Sequence, residues 1–220
     1  MHACLQLDLI YTSIRLLRHH GCNLPVEVWV RSAEWPSRPQ LALLEEMGSS
    51  VRDIDAVAAT FPLMRKGLSP RADEKPFIVK HIALIASSFR EVLLLDADNM
   101  AARDPTFLFS SPEFVDTGFV MWPDFWLFPR GPADIRAIFD LPQHRSDRLP
   151  DERTVESGQL LVDKARAWPG LMLATYLHLE TELYDNLFRT LHDLGGVCPV
   201  RMERREESLV KSTATLSDCH

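Results

Sequence analysis

The chain has 220 residues, 46% of them hydrophobic and 25% charged, and a formal net charge of −7 at pH 7. This is the balance of an ordinary globular protein, long enough for one sizeable core. The acidic excess argues against a basic nucleic-acid-binding surface, and no stretch approaches the roughly 18 to 20 apolar residues of a membrane-spanning helix. Four cysteines, Cys4, Cys22, Cys198 and Cys219, have neither metal-ligand nor redox-pair spacing and leave the compartment open.

In chain order, Met1 to Leu17 is broken by Gln6, Asp8 and Arg15, so it lacks the clean apolar run of a signal peptide. It reads instead as an amphipathic helix with Leu9, Ile10, Ile14 and Leu17 on one face. An α/β chain that opens on a helix carries the expectation of a strand upstream of it. Gly21 and Asn23-Leu24-Pro25 stop that helix. Val26 to Val30 alternates and is β-branched, which predicts a strand. Trp35 to Pro39 reads as a loop, Gln40 to Met47 as a short helix ended by Gly48, and Ser50 to Ile54 as a weak strand. Phe61 to Lys75 is polar and Pro/Gly-containing, a long loop of the functional kind.

Pro76 to Ser88 reads as a helix with Pro in its first turn and Phe77, His81, Leu84 and Ile85 on its core face. Val92-Leu93-Leu94-Leu95 then predicts a strand buried on both faces. Thr106 to Phe109 is a short apolar turn, Gly118 to Met121 a strand, and 129–155 a Pro- and charge-rich excursion. Gln159 to Val162 follows Ser157-Gly158 as a strand after a turn, and Ala165 to Leu194 is largely helical, interrupted near Pro169-Gly170. Helices alternating with strands before residue 100 predict a three-layer α/β fold, with one domain over 1–200 and a charged, disordered tail over 201–220.

The apolar run of residues 92–95 feeds into Asp96-Ala97-Asp98-Asn99. In an open α/β sheet, ligands bind beyond the carboxyl ends of strands. Two carboxylates there can hold a divalent cation, and the cation can hold phosphate oxygens. The structural alternative is an Asp that caps a strand–helix turn. Lys80, on the preceding helix, could neutralise a diphosphate or lie in solvent. Lys75, Arg65 and Lys66 share that ambiguity. Trp122-Pro123-Asp124-Phe125-Trp126 offers aromatic faces for a sugar ring and a carboxylate for its hydroxyls, or else core packing. In Glu156-Ser157-Gly158-Gln159, Gly158 permits close backbone approach to a ligand, and Glu156 or Gln159 could touch a reacting sugar. The histidines show no metal-binding repeat, and no glycine-rich phosphate loop or nucleophile elbow is present.

Taken together, Lys80 to Phe89, Val92 to Asn99, Arg103 to Phe109, Gly118 to Trp126 and Glu156 to Gln159 resemble, in this order, the fungal-type α-mannosyltransferases of the Mnn1/Mnn2 group. The resemblance covers roughly residues 10–180 and implies a GT-A fold, that is, a Rossmann-like α/β/α nucleotide-diphospho-sugar transferase. It implies a retaining, metal-dependent transfer from a nucleotide sugar, GDP-mannose, to a hydroxyl of a mannose-containing glycan in the Golgi lumen. Mn²⁺, with Mg²⁺ as the alternative, would be held by Asp96 and Asp98. Lys80, Asn99, Trp122 and Gly158 would join them in binding the donor, and Asp124, Glu156 and Gln159 would face the reacting sugars. The family's membrane anchor, first strand and a Gly-Asp-Lys-Asp-Thr-Phe-like segment have no counterpart in the sequence. The expectation is therefore a catalytic domain truncated at both ends. A truncated, glycan-binding relative and a haloacid-dehalogenase-type phosphotransferase are the alternatives. The latter ordinarily carries its Asp-x-Asp near the chain start, with Thr or Val following rather than Asn99.

Overall fold

Helix α1 (Ala3–His19) forms where the apolar spacing places it, with Ile14 and Leu17 buried and Ile10 packed beside them. The computed structural model describes residues 3–61, 64, 68, 78–127 and 153–180. These belong to a compact unit of Met1–Phe128 with Leu149–Thr181. A second unit, Pro129–Arg148 with Glu182–His220, lies outside the described residues, as do Arg65, Lys66, Lys75, Phe77 and the expected tail. No helix among the described residues is long and apolar enough to cross a membrane.

Strand β1 (Val26–Val30) pairs in parallel with β2 (Ser49–Asp53), Val26 opposite Ser49 and Val30 opposite Asp53. Side chains alternate across a strand, so β1 serves two cores. Val28 and Val30 join Ile14 of α1 and Leu44 of α2 (Arg38–Glu46). Trp29 packs against the opposite cluster, built from Ile54 and Ala58 of α3 (Ile54–Thr60) and Ile78 and Ile82 of α4 (Ile78–Ala86). Helices therefore cover both faces of the β1–β2 sheet, which is the α/β/α layering expected. Helix α3 has no counterpart in the sequence reading, although its signal was present: Asp53 caps it by accepting from the amides of Asp55 and Ala56.

The spacing argument for α4 placed Leu84, which is buried, and Ile85, which packs partly buried against the core; Ile78, Ile82 and Ala83 are the other buried positions, and His81 is half-buried. Glu27 ties β1 to the turn that follows α4. Its side chain is 4% exposed and accepts from the Ser88 hydroxyl at 2.7 Å and the Trp29 indole at 3.3 Å. Burial pushes its pKa up, but the hydrogen bonds from Ser88, Ser87 and Trp29 outweigh it and hold the group below the usual carboxylate range.

Strands β3 (Glu91–Leu95), β4 (Phe119–Leu127) and β5 (Arg153–Asp163) form an antiparallel sheet in the order β3–β5–β4. Val92, Leu94 and Leu160 pack with Leu84, Val162, and Leu171 of α6 (Lys164–Leu179). The expectation of a strand buried on both faces is corrected here. Val92 to Leu95 are each only partly buried, because β3 lies at the edge of this sheet and pairs antiparallel to β5. Ser157-Gly158 lies within β5 rather than in a turn before it. Between β3 and β4 run a 3₁₀ segment (Pro105–Ser110) and α5 (Pro112–Thr117), which Gly118 ends in the left-handed conformation at φ 69°. Helix α6 continues through Pro169. The proline removes one backbone bond, while Leu171 and Thr175 remain buried along the helix.

A candidate active site at the end of β3

The β3–β5 register, with Leu95 opposite Gln159, carries Asp96 to Gly158. The Asp96 amide donates to the Gly158 carbonyl at 2.8 Å, and the Asn99 side-chain amide donates to the same oxygen at 2.5 Å. The Asn99 amide closes back on the Asp96 carbonyl at 3.0 Å, making Asp96–Asn99 a tight turn. From behind, the Ser13 hydroxyl of α1 donates to the Asn99 carbonyl at 2.8 Å. Asn99 thus holds the turn's shape, which the sequence reading did not foresee when it assigned this residue to the donor.

On the other side of β5 the register breaks. Met121 of β4 faces Leu160, and Pro123 faces Val155, so Glu156 to Gln159 stand opposite Trp122 alone. Extra residues on one strand make a bulge, which re-aims side chains next to functional sites. Within it, Glu156 Oε1 accepts from the Gly158 amide at 2.7 Å. A Cβ on Gly158 would lie 2.8 Å from the Asn99 amide nitrogen, 3.0 Å from Glu156 Oε1 and 3.4 Å from Asp96 Oδ2. A side chain there would force Asn99 or Glu156 to move.

Lys80 reaches into this cluster from α4. Its ammonium donates to Asp96 Oδ2 at 2.7 Å and to the Ser157 carbonyl at 3.0 Å. Asp98, two residues on, is exposed. Among the described residues, neither Asp98 nor Asp96 Oδ1 takes a hydrogen bond, while Oδ2 is held by Lys80. These free oxygens are hard donors at a strand end. Mg²⁺ and similar ions are commonly bound by one or two carboxylates plus substrate phosphates. No group of three His, Cys, Asp or Glu side chains converges among the described residues. The donor set therefore fits a cation shared with a bound ligand better than one caged by protein.

The structure thus brings Lys80, Asp96, Asn99, Glu156 and Gly158 together, with Gln159 next in register and Asp98 on the open side. Trp122 and Asp124 lie one strand over on β4. Trp122 is partly buried opposite the bulge, and Asp124 lies beyond the Pro123–Val155 pair, its Oδ1 accepting from the Phe125 amide at 2.6 Å. Beside Lys80, the rings of His81 and His178 meet at 4.3 Å between α4 and α6, and His81 Nδ1 is buried without a hydrogen-bond partner among the described residues. Burial, then the neighbouring His178 and Lys80, push the His81 pKa down to about 4.

Residues 5–140 match the family profile Mannosyl_trans3, described as "Mannosyltransferase putative". The chain is also similar to the α-1,2-mannosyltransferase MNN21 of Candida albicans, at 30% identity over 78% of this chain and 31% of the relative. It is 27% identical to the α-1,2-mannosyltransferase MNN5 of Saccharomyces cerevisiae over 78% of this chain and 36% of that protein. With MNN2 of the same yeast the identity is 26%, over 78% and 33%. The chain spans about a third of the length of these curated relatives. The profile covers α1 through β4, the Asp96 turn included, and leaves β5 outside it, and on that match the chain belongs to the Mannosyl_trans3 family.

Proposed function

We propose that this chain forms part of a mannosyltransferase, one that moves a mannosyl group from a nucleotide sugar, GDP-mannose, to a hydroxyl of a mannose-containing glycan. The relatives' shared activity supports an α-1,2 linkage, and on this reading the transfer takes place in the Golgi lumen. One observation carries the site assignment: at the end of β3, Asp98 and Asp96 Oδ1 take no hydrogen bond among the described residues, while the Asp96 and Asn99 backbone beneath them is hydrogen-bonded.

In this reading Asp96 Oδ1 and Asp98 hold Mn²⁺ or Mg²⁺ together with the donor diphosphate. The cation, when bound, offsets the charge that gathers on the departing diphosphate. The chain's own part is to orient and to exclude water. The Asn99–Gly158 bond fixes where the carboxylates point. The absence of a side chain on Gly158 lets Asn99 and Glu156 close over the β5 backbone beside Asp96. Trp122 offers an aromatic face to a sugar ring. Glu156 keeps one oxygen on the Gly158 amide, leaving the second for a sugar hydroxyl or for the proton that leaves the acceptor oxygen as the new glycosidic bond forms. Gln159 and Asp124 complete the set of polar groups facing the sugars, and the anomeric configuration is retained.

The test is transfer from GDP-mannose to a mannose-containing acceptor by the full-length protein, assayed with and without Mn²⁺. Asp98→Ala and Asp96→Ala should each reduce Mn²⁺-dependent turnover by about 10³-fold, the scale of losing an electrostatic transition-state stabiliser. Unchanged turnover in either variant would remove the carboxylate pair from the mechanism.

A further inference from the structure

We infer that Lys80 acts as a positioning residue for Asp96 rather than as a direct ligand of the donor's phosphates. The inference rests on the metal reading above and assigns a role within it. Three observations carry it. The ammonium is committed to two oxygens at once, Asp96 Oδ2 and the Ser157 carbonyl, so it is braced between the β3 turn and the β5 bulge. Its backbone is equally fixed: Ile78 and Ile82, two residues to either side on α4, are buried in the core. And the oxygen it takes is the inward one, 3.4 Å from where a Gly158 Cβ would stand.

A carboxylate held by one oxygen cannot rotate freely about its terminal bond. Lys80 therefore holds Oδ2 on the β5 side and leaves Oδ1 without a hydrogen bond among the described residues, so that it remains available to a cation. Groups that hydrogen-bond a metal-ligating side chain commonly alter metal affinity 10- to 100-fold when removed. A positive charge so close would by itself oppose cation binding, but here Asp96 already offsets it. Positioning and charge predict opposite signs for loss of the ammonium, which makes the role testable.

The experiment titrates Mn²⁺ into the full-length protein, reading bound ion from the loss of the free-ion electron paramagnetic resonance signal, first without GDP and then at saturating GDP. GDP affinity at saturating Mn²⁺ is measured alongside. Lys80→Met should weaken Mn²⁺ binding by at least about 10-fold while changing GDP affinity at saturating Mn²⁺ by less than about 3-fold. Lys80→Arg, which keeps a cationic donor, should recover most of the Mn²⁺ affinity. Unchanged or tighter Mn²⁺ binding in Lys80→Met overturns the inference, as does a loss confined to GDP affinity, which would mark Lys80 as a phosphate ligand. Wild-type protein whose Mn²⁺ binding is absent, or indifferent to Asp98→Ala, would instead overturn the metal reading itself.

Discussion

Two clusters of carboxylates stand at the carboxyl ends of strands in this molecule, and they differ in what they leave unused. At the end of the β1–β2 sheet, Asp55 takes Arg31 side-on, with contacts from 2.8 to 3.0 Å, and accepts the Ser32 amide at 2.8 Å. Asp53 accepts the Asp55 and Ala56 amides on one oxygen and the Ser32 hydroxyl on the other. All four oxygens are occupied by groups of the fold. At the end of β3, the Asp96 and Asn99 backbone is hydrogen-bonded, yet Asp98, which is exposed, and one oxygen of Asp96 are unclaimed among the described residues. Both regions contain an Asp-x-Asp. The first is a helix cap reinforced by an ion pair; the second keeps carboxylate oxygens unclaimed among the described residues. The residue pattern does not separate them, and the count of satisfied oxygens does.

If that contrast is right, substitutions at the two clusters should divide into losses of activity and losses of stability. The largest activity effect is the one expected from Asp98→Ala. Next comes Gly158→Ala. The added methyl must displace Asn99 or Glu156, and misplacement of this size in a preorganised site costs about 10²-fold in turnover. A Gly158→Ala variant with wild-type turnover would show that the cradle is incidental. Asp55→Ala should do the reverse. It breaks a side-on ion pair and leaves Arg31 without its acceptor, at a cost of about 2 kcal/mol, or roughly 4–8 °C in melting temperature, with Mn²⁺ affinity unaltered. Altered Mn²⁺ affinity in that variant would join the two clusters functionally and end the distinction.

Acid should separate the two regions more gently. His81 is held near pKa 4, below its ordinary 6.5, so the unfolded chain binds the proton first. Stability should therefore fall as the pH drops from about 6.5 to 4, by roughly 1–2 kcal/mol once partial exposure is allowed for. His81→Phe should flatten that part of the melting profile. Asp55 is held below its usual 3.8, first by the Arg31 hydrogen bonds, so its contribution is intact above that value and is lost only as the pH falls further. A single acid transition shared by wild type and His81→Phe would argue against a role for the α4–α6 histidine contact.

Much of this was legible in the sequence, for identifiable reasons. Val26 to Val30 announced β1 to the residue because its alternation is strict and both of its faces are used. The run into Asp96 announced β3 and its end, because the chain turns where apolar residues stop. The pairing of Lys80 with Asp96 was out of reach, since it spans 16 residues and depends on how α4 is rotated against the sheet. So was the bulge. Ser157-Gly158 has the composition of a turn, and its place inside a strand is decided by pairing with β3, which no local signal reports. The closed state of Asp53 and Asp55 likewise depends on Val30 lying opposite Asp53, which brings Arg31 and Ser32 to them.

The bulge in β5 also bears on how this protein can vary. The strand keeps step with β3 from Gln159 to Asp163 but loses step with β4 on the far side of Glu156. An insertion or deletion in the segment joining β4 to β5 can be taken up as slippage against β4, where pairing is already irregular. The stretch locked to β3, and the Asp96 turn hanging from it, need not move. Strand β5 thus uncouples segment length from carboxylate position, because its regular pairing is with β3 and its irregular pairing is with β4.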